Sequence, residues 1–396
     1  MSQESMSTVP TVADSLVALL WQLVARPSRA GEDDCAPVMQ VIADWLEPQG
    51  IVPVWLRDAT GRPLGLCGEI VGARPCPTYL LDATVDTAPY GDPAAWTTPP
   101  DRPSIADGWL YGRGSADSKA GIAVFCHVLA DLSRRRDGLA GKVGFVFDAE
   151  EHIGTFAGIR RYMEQRDASA GRIAGVMIGY PGNDRLVVGA RGFLRVRLHL
   201  HGLAAHSGAS GGNGINAIER ARELLRLLAE VTLPAGSTAF PLGPRITATG
   251  IDGGGSFSLV PDRCVLELDC RLTPDFPDAA ARALIQDLCA RLDATAAVPP
   301  IDIEWLPGWP AYRLATDDPM VLALAAAGRE AFGHDLPQAV VGPSSIANYL
   351  ATLGIAATAG LGVNYRNIHA PDEAVELATL EPTRRTYLTA LQRLLR

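Results

Sequence analysis

Residues 78–89 read T-Y-L-L-D-A-T-V-D-T-A-P, and residues 142–154 read K-V-G-F-V-F-D-A-E-E-H-I-G. Each stretch contains a short run of the length and composition of a β-strand, 78–85 or 143–147, followed by acidic residues. A helix rich in Ala and Val is predicted between the two runs, over Ser115–Arg134. This order of strand, helix and strand predicts an α/β domain with a mainly parallel sheet.

The pattern changes after residue 189. Strands are predicted over 193–200, 245–251, 263–272 and 301–305, with helices over 216–228 and 278–292. The resulting β-α-β-β-α-β order is that of a split βαβ sandwich. We therefore predict an α/β catalytic domain formed by residues 1–189 and 301–396, interrupted by an inserted domain over residues 190–300.

Composition excludes several classes of function. The chain has 396 residues, and its 35 basic against 44 acidic residues give a net charge of −9. Without a basic block it is a poor candidate for binding nucleic acid or an anionic membrane, and no apolar run approaches the roughly 18 residues of a membrane span. The seven cysteines show no C-x-x-C spacing, and the N-terminus does not resemble a signal peptide. We expect reduced thiols, a cytoplasmic location and a small-molecule substrate.

Four segments carry residue types suited to metal-assisted hydrolysis. Asp86 follows the first strand, and Asp117 lies in Y-G-R-G-S-A-D-S-K-A-G (111–121). Glu150 and Glu151 follow the second strand, and His369 lies in N-I-H-A-P-D-E (367–373). Hydrolysis of an amide needs an activated water and a Lewis acid on the carbonyl. Carboxylates and imidazole are suitable ligands for Zn²⁺.

In order and spacing these segments resemble the co-catalytic zinc peptidases and deacylases, a family that includes acetylornithine deacetylase, succinyl-diaminopimelate desuccinylase, aminoacylase and the glutamate carboxypeptidases. The resemblance implies a zinc-peptidase-like α/β catalytic domain with an inserted β-α-β-β-α-β dimerisation (lid) domain, and hence a homodimer. It also implies that Asp117 bridges two metals and that Glu151 and His369 complete the shell of the first metal. Glu150 is then the general base that takes the proton of the attacking water.

The inserted domain contributes three further candidates through the same resemblance. His206, in H-G-L-A-A-H-S-G (201–208), resembles the histidine that stabilises the tetrahedral intermediate, usually in the neighbouring subunit's active site. Asn216 fits the pattern that follows this histidine. Arg271, in D-C-R-L-T-P, resembles a clamp for a substrate carboxylate, because a planar guanidinium matches a carboxylate. A salt bridge at the sheet edge is an alternative role for Arg271.

The chain departs from the family at the second metal. Thr84 stands where the family has the histidine of an H-x-D motif, and Tyr180, in I-G-Y-P-G, stands where it has an acidic ligand. The remaining ligands are Asp117, Glu151 and His369, and three protein ligands plus water is the usual arrangement at a catalytic zinc. We therefore expect at most one Zn²⁺ or other divalent metal per chain, with a metal-free site left open.

Three functions remain open at this point. The first is an amide hydrolase, or a related acyl-transfer enzyme, with a single-metal site and a small N-acyl amino acid or dipeptide-like substrate. The second is a metal-free amide-forming or isomerising enzyme with Glu150 and Tyr180 as acid–base groups. This second function is possible because the repulsion among the clustered carboxylates must be relieved either by a cation or by a bound proton. A bound proton would do so without a metal. The third is a catalytically inactive binding protein, which the retained acidic residues and His369 disfavour.

Overall fold

The computed structural model describes residues 11–74, 77–167, 171–208 and 213–396. Cys76 lies outside the described residues, and the other six cysteines are free thiols. The chain forms two compact units. The first contains the described residues up to Val188 with Leu314–Ala339 and Ser345–Arg396, and the second contains Gly189–Arg313 and Val340–Ser344. The second unit thus takes in residues 301–313 and 340–344 in addition to the insertion expected over 190–300.

The helices and strands follow one another along both units. The helices are α1 (Val12–Val24), α2 (Ala36–Leu46), α3 (Ala120–Ser133), α4 (Ala157–Gln165), α5 (Ala217–Ala229), α6 (Asp278–Asp293), α7 (Pro319–Phe332), α8 (Ile346–Thr352) and α9 (Leu380–Leu394). The strands are β1 (Val54–Arg57), β2 (Pro63–Val71), β3 (Thr78–Thr84), β4 (Ser104–Ala106), β5 (Trp109–Tyr111), β6 (Lys142–Asp148), β7 (Ile173–Ile178), β8 (Leu186–Ala190), β9 (Gly192–His201), β10 (Arg245–Gly253), β11 (Arg263–Leu272), β12 (Asp302–Trp309), β13 (Tyr312–Arg313), β14 (Gln338–Val341), β15 (Ala357–Ala359), β16 (Tyr365–Arg366) and β17 (Ala374–Glu376). None of the helices in the described part of the chain is long and apolar enough to span a membrane.

The sheet of the first unit brings the acidic segments together. Within the described residues six strands pair in the order β1-β2-β6-β3-β7-β15. The strands β6, β3, β7 and β15 run parallel, and β2 and β1 add an antiparallel edge. Thr84 at the end of β3 is opposite Asp148 at the end of β6. Because parallel strands end at the same edge of a sheet, Asp86 and the residues after Asp148 are neighbours there.

One predicted helix begins later than expected. Residues 115–119 form a π-type turn in which Asp117 (φ −118°, ψ 93°) and Ser118 depart from helical angles. Helix α3 therefore begins at Ala120 and not at Ser115, and most of its residues are buried. Residues 88–114, which precede this turn, contain the short strands β4 and β5, which pair with each other. The delayed helix leaves Asp117 in a turn.

The second unit is an antiparallel sheet in the order β10-β11-β9-β12, with α5 and α6 packed against it. Residues of β9 and β11 alternate between buried and less buried positions, as expected of strands that cover a core with one face. Asn216 is the N-cap of α5, and its side-chain oxygen accepts from the backbone N–H of Ile218 at 2.9 Å. The mixed α/β class predicted from the sequence is thereby confirmed.

Candidate active site

The loop that carries Asp117 is shaped by a buried carboxylate, that of Glu373. Its Oε1 accepts from the backbone N–H groups of Ala116 (2.9 Å) and Asp117 (3.1 Å). Its Oε2 accepts from the guanidinium of Arg113 (2.6 Å) and the backbone N–H of Gly114 (3.1 Å). The Arg113 and Glu373 side chains are 2% and 1% exposed. Four hydrogen bonds to one carboxylate hold this segment in a single conformation.

Asp117 lies against two imidazoles. The Oδ2 atom of Asp117 is 2.8 Å from Nε2 of His369 and 3.5 Å from Nε2 of His152. These three donor atoms lie within 4.8 Å of one another, and among the described residues they form the group able to hold a metal ion. The Oδ1 atom of Asp117 accepts from the Ser118 hydroxyl at 2.7 Å. One carboxylate oxygen is therefore directed at the imidazoles and the other is engaged elsewhere.

His152 is held between two carboxylates. Its Nδ1 is 3.3 Å from Oδ2 of Asp86, and its backbone N–H donates to the same oxygen at 3.2 Å. The side chain is 5% exposed, and Nε2 is buried without a hydrogen-bond partner among the described residues. Burial alone would lower the pKa of His152, but Asp117 and Asp86 outweigh it and raise that pKa well above its usual value. An imidazole in this position favours a bound proton or a bound cation.

The two imidazoles have the opposite effect on the pKa of Asp117. Burial alone would raise the pKa of Asp117, but its contacts with His152 and His369 outweigh burial and hold the pKa well below the usual range. Asp117 is thus ionised at neutral pH. An ionised, buried carboxylate beside an imidazole nitrogen is a suitable donor pair for a cation.

The Glu151 carboxyl group is hydrogen-bonded to Tyr180. The Tyr180 hydroxyl donates to Oε1 of Glu151 at 2.9 Å, and Oε2 of Glu151 lies 3.6 Å from Nδ1 of His152. Burial raises the pKa of Glu151 to about 7, and the negative charges of Asp117 and Asp86 act in the same direction. Burial also raises the pKa of the Tyr180 phenol, which therefore stays protonated and acts as a donor.

The carboxylate of Glu150 is engaged at the surface side of the strand end. Its Oε1 accepts from Arg62 at 2.5 Å, and its Oε2 accepts from the Thr155 hydroxyl at 2.7 Å. Glu150 has a left-handed backbone (φ 69°), and a turn over residues 151–154 follows it. The two adjacent glutamates consequently have different partners, as the difference in their predicted roles requires.

The two positions at which the family's second metal would be liganded hold hydroxyl groups. The Thr84 hydroxyl donates to Oδ1 of Asp86, and the Tyr180 hydroxyl donates to Glu151. Beneath them Asp82 is fully buried and neither of its carboxyl oxygens has a hydrogen-bond partner among the described residues. Burial raises the pKa of Asp82 well above its usual value, which favours the protonated form of this carboxyl group.

The three candidates of the inserted domain lie in the second unit. His206 is exposed, and its Nδ1 accepts from the backbone N–H of Gly208 at 3.0 Å. The side-chain oxygen of Asn216 is used in capping α5. The guanidinium of Arg271 is 2.7 Å from Oδ1 of Asp269. Asn216 therefore has a structural contact in addition to any role with substrate. Arg271 makes a salt bridge within β11, a strand that lies between β10 and β9 and not at the sheet edge where the alternative role placed it.

Sequence reasoning missed several residues that shape this site. His152 directly follows the Glu150–Glu151 pair, and its position beside a predicted ligand is the signal that could have drawn attention to it. Ser118 is likewise adjacent to Asp117. By contrast, Arg62 lies 88 positions from Glu150 and Arg113 lies 260 positions from Glu373, so no local pattern indicates either pair.

The donor set fits one divalent cation. Nε2 of His152 is a buried nitrogen without a hydrogen-bond partner in the described ranges of the chain, and it faces an ionised carboxylate oxygen and a second imidazole nitrogen. Two imidazoles and a carboxylate are ligands that divalent transition metals accept. Oδ1 of Asp117 accepts a hydrogen bond from Ser118, so this carboxylate offers its other oxygen, Oδ2, to the cation.

Comparison with known proteins identifies relatives along most of the chain. A model of peptidase family M20/M25/M40 matches residues 80–393. A succinyl-diaminopimelate desuccinylase of Thioalkalivibrio sulfidiphilus is 28% identical, over 95% of this chain and 98% of the relative. A desuccinylase of the same name from Paracidovorax citrulli is 25% identical, over 94% and 96%. The crystal structure of aminopeptidase PepT from Bacillus cereus superposes with a TM-score of 0.76 and 20% identity, over 96% of this chain and 98% of PepT.

Proposed function

Because the chain belongs to peptidase family M20/M25/M40 and is an amidohydrolase- or peptidase-like enzyme, we propose that it hydrolyses a small N-acyl amino acid or dipeptide-like substrate at a single-cation site. The observation that carries the proposal is the close group of donor atoms from Asp117, His152 and His369. The desuccinylases, whose names indicate removal of an acyl group from an amino acid, support the substrate class.

Three contacts support one cation over two. The Thr84 and Tyr180 hydroxyls each donate to a carboxylate, and neither is the imidazole or carboxylate that a second divalent ion would prefer. Asp117 uses Oδ1 to accept from Ser118, which leaves Oδ2 for one ion. When bound, a divalent ion supplies Lewis acidity that polarises a carbonyl oxygen and acidifies water.

The chain's own residues then move the proton and stabilise charge. Glu150 accepts a proton from the attacking water and passes it to the leaving amine, and to do so it exchanges its contact with Arg62 for one with the substrate. His206 is the donor to the developing oxyanion, as its resemblance to the family histidine implies. Arg271 and Asn216 are the candidates for binding the rest of the substrate.

The metal-free alternative draws on a different contact. The Tyr180 hydroxyl is paired with Glu151, and burial raises the pKa of Glu151 to about 7, so this pair holds a proton without a metal. A metal-free amide-forming or isomerising enzyme would use such a pair together with Glu150. The two proposals differ in their response to a chelator.

The test measures amine release from a panel of N-acyl amino acids and dipeptides. The wild-type enzyme is expected to be active with Zn²⁺, to lose activity after chelation and to recover when Zn²⁺ is restored. Glu150→Gln is expected to lose roughly 100-fold or more in kcat, within the range for loss of a general base. Glu164→Gln, the same change at an exposed residue of α4, serves as the control. Full activity of the chelated enzyme, or of Glu150→Gln, would contradict the proposal.

We also propose a homodimer joined through residues 190–300 and a cytoplasmic location. The second unit displays Leu203, Ile251, Phe257 and Leu259 as exposed apolar side chains, which is the composition expected of a contact surface. The thiols of Cys126, Cys264, Cys270 and Cys289 are buried and free, which suits a reducing compartment. Light scattering tests the first statement, and cell fractionation tests the second.

A further inference from the structure

We propose that His152 is a ligand of the single cation, that Asp86 holds it in the ligating orientation, and that Glu151 lies outside the coordination group. This inference rests on the proposed single-cation site, and it changes the expected ligand set from Asp117, Glu151 and His369 to Asp117, His152 and His369. The resulting site has two neutral imidazoles and one carboxylate.

The position of the His152 ring supports the first part of the proposal. Its two nitrogens face different partners, with Nδ1 3.3 Å from Asp86 and Nε2 3.5 Å from Asp117. The Nε2 atom is buried, has no hydrogen-bond partner in the described part of the chain, and lies within 4.8 Å of the donor atoms of Asp117 and His369. Buried polar atoms nearly always have a partner, and a cation bound between Asp117 and His369 would provide one for this nitrogen.

Asp86 supports the second part. A histidine that ligates a metal commonly donates its other ring N–H to a carboxylate, which fixes the tautomer and the ring orientation. Here Oδ2 of Asp86 faces both the backbone N–H and Nδ1 of His152. Its other oxygen accepts from the Thr84 hydroxyl and the backbone N–H of Glu151. Asp86 is thereby immobilised, and the Nδ1–H tautomer leaves the Nε2 lone pair for the cation.

The contacts of Glu151 place its carboxylate on the Nδ1 side of the His152 ring, whereas a metal bound by Nε2 would lie on the other side. Its Oε2 is 3.6 Å from Nδ1 of His152, whereas Asp117 and His369 are grouped with Nε2. Its Oε1 is occupied by the Tyr180 hydroxyl. Glu151 therefore faces the edge of the imidazole that a ligating histidine directs away from its metal. Glu151 is left as a neighbour of His152 that is hydrogen-bonded to Tyr180.

The substitution of an imidazole for a carboxylate has a chemical consequence. With a divalent ion, two neutral imidazoles and one carboxylate carry a net charge of +1, whereas one imidazole and two carboxylates are neutral. The more positive site is the stronger Lewis acid. Imidazole also suits Zn²⁺ and Cu²⁺ better than it suits Mg²⁺ or Ca²⁺. We expect the site to prefer the former pair of ions.

The experiment counts ligating nitrogens. Chelator-treated full-length protein is loaded with one equivalent of Cu²⁺, and the number of coordinated imidazole nitrogens is read by electron paramagnetic resonance. We expect two nitrogens in the wild-type protein, two in Glu151→Gln and one in His152→Ala. His201→Ala, which removes an imidazole paired with Asp302 in the second unit, is the matched control and should keep two.

A Zn²⁺ titration against a chromophoric chelator provides the affinities. Asp86→Asn should weaken Zn²⁺ binding roughly 10–100-fold, the usual effect of removing a residue that orients a ligand. His152→Ala should weaken it further, and Glu151→Gln should weaken it less than Asp86→Asn. Circular dichroism of each metal-free variant establishes that it is folded. The wild-type nitrogen count keeps the inference testable even if a variant fails to fold.

The possible outcomes separate this inference from the proposed function. One nitrogen in the wild-type protein, or two in folded His152→Ala, would overturn the role of His152 and leave a single-cation hydrolase with Glu151 as ligand. A wild-type protein that binds neither Cu²⁺ nor Zn²⁺ would overturn both the ligand assignment and the single-cation site. Two nitrogens in the wild-type protein without any amide hydrolysis would support the ligand assignment and remove the proposed reaction.

Discussion

Replacing Glu373 by glutamine should destabilise the first unit strongly, because this carboxylate organises the loop that carries Asp117. It accepts four hydrogen bonds, one from Arg113 and three from backbone N–H groups of Gly114, Ala116 and Asp117. Glutamine has nearly the same shape as glutamate but only one acceptor oxygen, so about half of these hydrogen bonds are lost. Its NH₂ group would also face N–H donors that the carboxylate oxygen had accepted from.

The magnitude follows from these contacts. Hydrogen bonds to charged groups contribute about 1.5–3 kcal/mol each, so the loss of two corresponds to about 3–6 kcal/mol. Removing one partner of a buried ion pair costs about 3–5 kcal/mol, because the other charge stays buried without its partner. Arg113 is 2% exposed and is left in that situation. We therefore expect Glu373→Gln to lower the free energy of unfolding by about 3–5 kcal/mol.

Urea unfolding and hydrogen exchange provide the measurement. The unfolding midpoint should fall, and peptides that cover residues 112–120 should exchange faster than in the wild-type protein. The control is Glu330→Gln, the same change at a 58% exposed glutamate paired with Arg393, for which at most about 1 kcal/mol is expected. If Glu373→Gln changes stability by no more than this control, the loop does not depend on the buried carboxylate and the reasoning fails.

Three further predictions concern the second-metal positions, the base and the assembly. Thr84→His combined with Tyr180→Glu should raise the zinc content from at most one to two per chain, since it restores an imidazole and a carboxylate; elemental analysis of each single variant should find no such gain. Arg62→Ala should raise kcat by up to roughly fivefold with little change in KM, because an exposed ion pair contributes about 0–1 kcal/mol and Glu150 no longer has to leave it. A fall in kcat would instead make Arg62 a positive contributor to the reaction. Phe257→Asp should shift the protein from dimer to monomer in light scattering, because it puts a charge on a fully exposed apolar side chain of the second unit. An unchanged dimer would exclude Phe257 from the contact.

Much of the fold follows from local patterns. The strands β3 and β6 are buried because most of their side chains are apolar and are removed from water in the core. The helical spacing of apolar residues likewise indicates the helices α1, α2 and α9. The helix start at Ala120 was not predictable in this way, since the turn before it depends on Glu373, far away in the chain.

The sequence by itself determined which residue types meet at the ends of β3 and β6, because parallel strands end at one edge and carry their acidic residues with them. It did not determine which of Glu150, Glu151 and His152 turns inward, because three consecutive residues contain no periodicity that selects one. The tertiary structure decided this through the left-handed backbone at Glu150 and the partners that receive each side chain. Arg62 contacts Glu150, Tyr180 contacts Glu151, and Asp86 and Asp117 contact His152. Each partner comes from another part of the chain, so the choice depends on packing that only the folded protein provides.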